Sequence, residues 1–136
     1  MRWRWLEWPV VARWAVTCMC FAVVNWLLFA PSSSFEDVHI ILAYQDKLAH
    51  FGIFAVLAGL VRWSLPAVWS SVPLRATLAL VLLGYGAAIE CLQPLIPHAG
   101  RSFEWLDMLM DGVGVVAGLW LCERLARQEM RKSCEL

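Results

Sequence analysis

Apolar residues gather into four long stretches, about 9–30, 48–69, 76–96 and 105–122, separated by short polar or proline-containing breaks. A helix rises 1.5 Å per residue, so about 20 apolar residues cross roughly 30 Å of hydrocarbon. The first three stretches reach that length. The fourth is shorter and includes Asp107 and Asp111, but its run Val113-Gly-Val-Val-Ala-Gly-Leu-Trp-Leu-Cys122 carries no charge. The pattern predicts an all-α fold: one domain over residues 1–136, an integral membrane bundle of four transmembrane helices. Pro31-Ser-Ser-Ser34 breaks the chain after the first span, Pro66 and Pro73 bracket the next turn, and Pro94 and Pro97 break the end of the third. The first stretch exceeds the usual 7–15-residue core of a secretory signal and contains Arg13, so it reads as a retained anchor.

Composition agrees. Apolar types make up 61% of the chain and charged types 16%, against roughly 45–50% and about 25% in soluble domains; a soluble fold has no interior large enough for them. Eleven Lys and Arg balance eleven Asp and Glu, which leaves no positive surplus for a nucleic-acid partner. The basic residues are unevenly placed. With the N-terminus inside, Arg2, Arg4, Arg13, Arg62, Arg75, Arg124, Arg127, Arg131 and Lys132 fall on the inner side, and only Lys47 and Arg101 on the outer. The positive-inside rule then puts both termini in the cytoplasm and makes membrane lipids the surrounding partner. Arg62 is expected to snorkel to the inner interface. Five cysteines add little: Cys18 and Cys20 are two apart and point to different helix faces, which suits small apolar filler better than a metal corner.

Ionisable residues within the spans are the informative ones, because hydrocarbon tolerates them only against a partner or a cavity. Asp46, Lys47 and His50 open the second span, Glu90 and Gln93 close the third, and Asp107 and Asp111 open the fourth, with Arg101 just before them. The second and fourth spans run inward and the third outward, so all of these residues fall in the outer half of the membrane. Helical phase gathers them further. Asp46 and His50 share a face, Gly86, Glu90 and Gln93 form a stripe, and Asp107, Asp111, Gly114 and Gly118 form another. Gly114 and Gly118 make a GxxxG motif, which brings a neighbouring helix close and aims both aspartates into that contact.

The pattern Asp46-Lys-Leu-Ala-His50-Phe, then Glu90-x-x-Gln93, then Arg101-Ser-Phe-Glu-Trp-Leu-Asp107-x-x-x-Asp111-x-x-Gly114 resembles the VanZ-like family of small bacterial membrane proteins, over about residues 46–118. Family members often carry Asn where this chain has Asp111. The resemblance implies a multi-pass protein of the bacterial inner membrane in a cell-envelope setting linked to glycopeptide resistance. It implies no particular reaction.

Three roles fit such a cluster. In the first, an acidic pocket opening outward takes an envelope precursor or a lipid-linked ligand, by binding alone or as an enzyme. His50 and Glu90 would exchange protons, Lys47 and Arg101, with Gln93 and Asp46 beside them, would hold the ligand, and Asp107 and Asp111 would orient His50 or coordinate a divalent cation. In the second, the residues form a structural polar network within a membrane scaffold. In the third, they begin a proton- or ion-coupled pathway.

Overall fold

The computed structural model describes residues 8–29, 45–66, 71–95 and 103–134, and every regular element among them is helical. Helix α1 covers Val10–Phe29, α2 Gln45–Ser64, α3 Val72–Leu92 and α4 Trp105–Cys134, with a 3₁₀ turn at Gln93–Leu95 after α3. Three of the four, α1, α3 and α4, are long and apolar enough to cross a membrane. Helix α2 is not among them: Asp46, Lys47, His50 and Arg62 interrupt its apolar run.

The helix ends depart from the expected spans for local reasons. Helix α3 starts four residues before position 76, because Ser71 caps it. Its backbone is extended (φ −115°, ψ 154°), and its Oγ accepts from the Leu74 N–H at 3.3 Å. Pro73 falls in the first turn, where no intrahelical N–H is required. Helix α2 ends at Ser64 rather than 69, since Pro66 disfavours helical backbone just ahead of it. Helix α4 runs on to Cys134, past the expected end at 122, through Leu, Ala, Arg, Glu and Gln residues of good helix propensity.

Helix α2 is the centre of the bundle and packs most extensively along α4. Their partners stay 60 to 63 positions apart along the contact: Lys47 with Asp107, His50 with Asp111, Phe51 with Gly114, Ala55 with Gly118, Arg62 with Glu123. So nearly constant an offset means the two helices run parallel. Helix α1 runs antiparallel to α2, with Arg13 at Trp63 and Thr17 at Leu60 and Ser64. Helix α3 runs antiparallel to α4, with Arg75 near Glu123 and Gly86 against Asp111. The bundle is therefore up-down-up-down, and the start of α1 lies at the same end as Glu123.

The core forms where the four helices meet. Phe54, Leu57 and Ala58 of α2 are fully enclosed, packed with Val24 of α1, Leu82 and Ile89 of α3, and Val115 and Leu119 of α4. Gly114 and Gly118 face α2 directly, close enough that a β-carbon on either would overlap a backbone carbonyl oxygen, of Phe51 and Ala55 respectively. The expected role of the GxxxG motif holds, and α2 is the neighbour. The outside is apolar as well: Val11, Trp26, Leu80, Val81, Val116 and Trp120 are each more than half exposed. So continuous an apolar exterior is suited to hydrocarbon rather than water.

Candidate functional site

The parallel register of α2 and α4 brings their N-terminal turns together, and the antiparallel α3 adds its C-terminal turns at the same level. Lys47 and His50 come from α2, Glu90 and Gln93 from the end of α3, and Glu104, Asp107 and Asp111 from the start of α4. His50 is 2% exposed, Glu90 0%, Asp107 5% and Asp111 1%. Charges buried this deeply need partners.

Most have one. His50 Nδ1 lies 2.8 Å from Asp111 Oδ1, where an Nδ1–H donates to the carboxylate. Lys47 Nζ sits 2.7 Å from Asp107 Oδ1, bonds Glu104 Oε2, and is 3.7 Å from Asp46. Glu90 differs. Its Oε2 accepts the Glu104 backbone N–H at 3.2 Å, while its Oε1 is buried without a hydrogen-bond partner. The N-terminal ends of α2 and α4 both point at this cluster, and their partial positive charge favours the acids there.

Gly86 explains how α3 can approach. A β-carbon at that position would stand 2.9 Å from Asp111 Oδ2 and 3.2 Å from the Phe54 ring. Its absence lets α3 lie against the carboxylate and places Glu90 one turn further on.

The structure thus brings together Lys47, His50, Glu90, Asp107 and Asp111 as the helical phases suggest. Gln93 is buried at the end of α3, on the Glu90 side. Asp46 stands at the rim, its side chain 56% exposed. Arg101 lies outside the described residues. Glu104 was not anticipated. From the sequence it reads as a loop residue, yet its carboxylate bonds Lys47, its N–H holds Glu90, and its carbonyl accepts the Asp107 N–H at 3.1 Å. Its place one residue before the fourth apolar run, three before Asp107, is a helix-start signal that could have marked it.

A second polar cluster occupies the opposite end and corrects one expectation. Arg62 does not snorkel: it is 4% exposed, with Nε 2.6 Å from Glu123 Oε1. Arg75 approaches the other oxygen of Glu123 at 3.9 Å. Nearby, Thr17 and Ser64 hydroxyls are 2.8 Å apart, and Arg13 donates to the Trp63 carbonyl at 2.8 Å. Fifteen residues separate Lys47 from Arg62, so the two clusters lie about 22 Å apart along the helix.

Two apolar grooves accompany these clusters. One, of about 1090 Å³, follows α3 and α4 and is lined by Gly84, Ala87, Trp105, Leu109, Gly112 and Trp120 among others. The second, of about 530 Å³, follows α2 and α4 near Ala55, Gly59, Gly118 and Leu121. Neither groove has an acidic residue in its lining; Glu90, Asp107 and Asp111 are packed between helices, while Asp46 and Glu104 stand exposed at the rim. Chemically, the cluster combines acids, a lysine, an imidazole and an amide. It can exchange protons, pair with charged groups or coordinate a cation, and among the described residues it contains no serine, threonine or cysteine. Two sets of side chains have ligand atoms within 4.8 Å of one another: His50, Glu90 and Asp111, and Asp46, His50 and Asp107.

No curated protein and no solved structure matches the chain. One protein family does: its model, described as VanZ/LLP1, matches residues 6–127, from ahead of α1 to within α4, and the chain belongs to that family.

Proposed function

We propose that this protein is a multi-pass protein of the bacterial inner membrane, in which the cluster around His50, Glu90, Asp107 and Asp111 engages a lipid-linked or other envelope-derived ligand at the outer face, in a role tied to glycopeptide response. All four helices cross the bilayer in this reading, with both termini cytoplasmic. Helix α2 joins the other three because both of its fixed cations are paired within the protein, Lys47 with Asp107 and Glu104 and Arg62 with Glu123, while His50 is hydrogen-bonded to Asp111. A helix whose charges are paired against its neighbours presents a mainly apolar face to lipid. The excess of Lys and Arg near the Arg62 end supports a cytoplasmic position for that end.

One observation carries the functional part. A fully buried carboxylate oxygen, Glu90 Oε1, has no hydrogen-bond partner beside a buried His50–Asp111 pair. A network serving only to fix helix register has no use for an unsatisfied buried acceptor, which costs on the order of 1–3 kcal/mol. Such an atom is suited to a ligand. The apolar groove along α3 and α4 offers room for the tail of a lipid-linked molecule, since its lining runs from Trp105 to Trp120.

The test compares cells carrying wild-type protein with cells carrying Glu90→Gln at equal membrane abundance. Expected is a change in the profile of envelope lipids and cell-wall precursors with the wild type, and in glycopeptide susceptibility, both absent in the variant. A Glu90→Gln protein that inserts normally and keeps both effects would remove the functional reading. An effect that declines only in proportion to lost protein would leave a structural network.

A further inference from the structure

We infer that His50, Glu90 and Asp111 form a binding site for one divalent transition-metal ion, of the manganese or zinc class. Three helices each supply one ligand: an imidazole from α2, a carboxylate from α3 and a carboxylate from α4. Their ligand atoms lie within 4.8 Å of one another, and all three residues are buried. A first-row ion bonds N and O ligands at about 2.0–2.2 Å, so ligand atoms around it stand about 3.0–3.5 Å apart. His50 Nδ1 and Asp111 Oδ1, at 2.8 Å, already have nearly that separation, and an ion bound between them replaces the Nδ1 proton, which is released on binding.

Glu90 is the observation that points to an ion rather than a closed network. Its Oε2 is held by the Glu104 N–H, which fixes the carboxylate, and its Oε1 is left buried with no partner. Charge leads to the same place. Lys47 serves Asp107 and Glu104, whereas no Lys or Arg contacts Glu90 or Asp111 among the described residues. Two carboxylates and a neutral imidazole around a doubly charged ion form a neutral unit, the form in which such groups can be buried.

The same reasoning selects between the two candidate sets. Asp46 and Asp107 in the alternative set already contact the Lys47 ammonium at 3.7 and 2.7 Å, and a fixed cation there competes with a metal. A mixed nitrogen and oxygen donor set favours manganese, iron or zinc over magnesium or calcium, because imidazole is a poor ligand for the hardest ions.

This inference rests on reading these side chains as a functional site but not on which envelope ligand they meet. Metal content is measured on purified protein and envelope composition in cells, so either can fail alone. Full-length protein in lipid nanodiscs, thiols alkylated to exclude cysteine ligands, would be stripped with chelator and titrated separately with Mn²⁺ and Zn²⁺. Expected is about one bound ion per chain for at least one metal. Loss of even an outer-sphere partner costs 10–100-fold in affinity, so Glu90→Gln, His50→Ala and Asp111→Asn should each weaken binding by at least about tenfold. Glu90→Asp, which keeps a carboxylate, should retain part of it. Electron spin-echo modulation of bound Mn²⁺ in the wild type should show one imidazole nitrogen, a reading that needs no variant to fold. Failure of both ions to bind the wild type, binding unchanged by Glu90→Gln in a folded variant, or bound Mn²⁺ without a nitrogen coupling would each overturn the site.

Discussion

Arg62 sets charge against burial in a pair whose two members can be changed one at a time, so the physics of a single residue can be tested there. A charge in the inner half of a span is ordinarily read as reaching for water, but the carboxylate of Glu123 lies 2.6 Å from Nε inside the bundle. Removing one member of a buried pair costs about 3–5 kcal/mol, and replacing both with apolar residues is often neutral. Glu123→Leu should therefore lower unfolding stability in micelles by about that amount. The double variant Arg62→Leu/Glu123→Leu should recover most of the loss, because Arg75 is partly exposed and can turn to solvent. Equal losses in the single and double variants would show that the pair adds nothing beyond its bulk. The misreading of Arg62 has a plain cause: a sequence shows the depth of a residue along its own helix, but not which residue lies opposite. Glu104 was missed for the same reason, since the Lys47 and Glu90 that it bonds lie on other helices.

Between elements, the decisive contact is the one α4 makes with α2. Gly114 and Gly118 meet backbone atoms, and backbone cannot rotate aside as a side chain can. A β-carbon at Gly118 would stand 2.9 Å from the Ala55 carbonyl carbon, and one at Gly114 would stand 3.1 Å from the Ala55 nitrogen. Gly118→Ala should force the helices apart and cost about 1–3 kcal/mol or more as overpacking. Gly52→Ala is the control: its β-carbon would meet nothing within 4 Å, so the higher helix propensity of alanine should leave stability unchanged or raise it by up to about 1 kcal/mol. Thermal unfolding of the two variants in nanodiscs decides the matter, and equal behaviour would refute the close contact. Much of this was legible in the sequence. The i, i+4, i+7 spacing of Asp107, Asp111, Gly114 and Gly118 forces polar and small residues onto one face whatever the partner. The partner's identity was not legible, because three other spans were equally available.

For the whole molecule, the four apolar stretches anticipated four helices, since hydrocarbon length and helical rise leave little freedom. Their ends were less visible: the Ser71 cap and the run of helix formers after Cys122 act through local backbone chemistry, independently of hydropathy. The up-down-up-down order puts the start of α1 and the Glu123 region of α4 at one end. The proposed topology therefore predicts that reporters active only in the cytoplasm, fused to either terminus, both give signal. A reporter inserted near residue 100 should be active only when exported. Opposite signals from the two termini would mean that one helix does not cross.

The parallel pairing of α2 with α4 also has a consequence in time. The fixed cations of the pairing, Lys47 and Arg62, belong to α2, and the acids they meet across it, Asp107 and Glu123, belong to α4. If α2 is a span, it leaves the ribosome with its charges unanswered and must wait for a helix about 60 residues downstream. At typical synthesis rates of 5–20 residues per second that delay is about 3–12 s. Until then α2 is the part of the nascent chain least at ease in lipid, so the bundle assembles as a unit only when its last helix arrives.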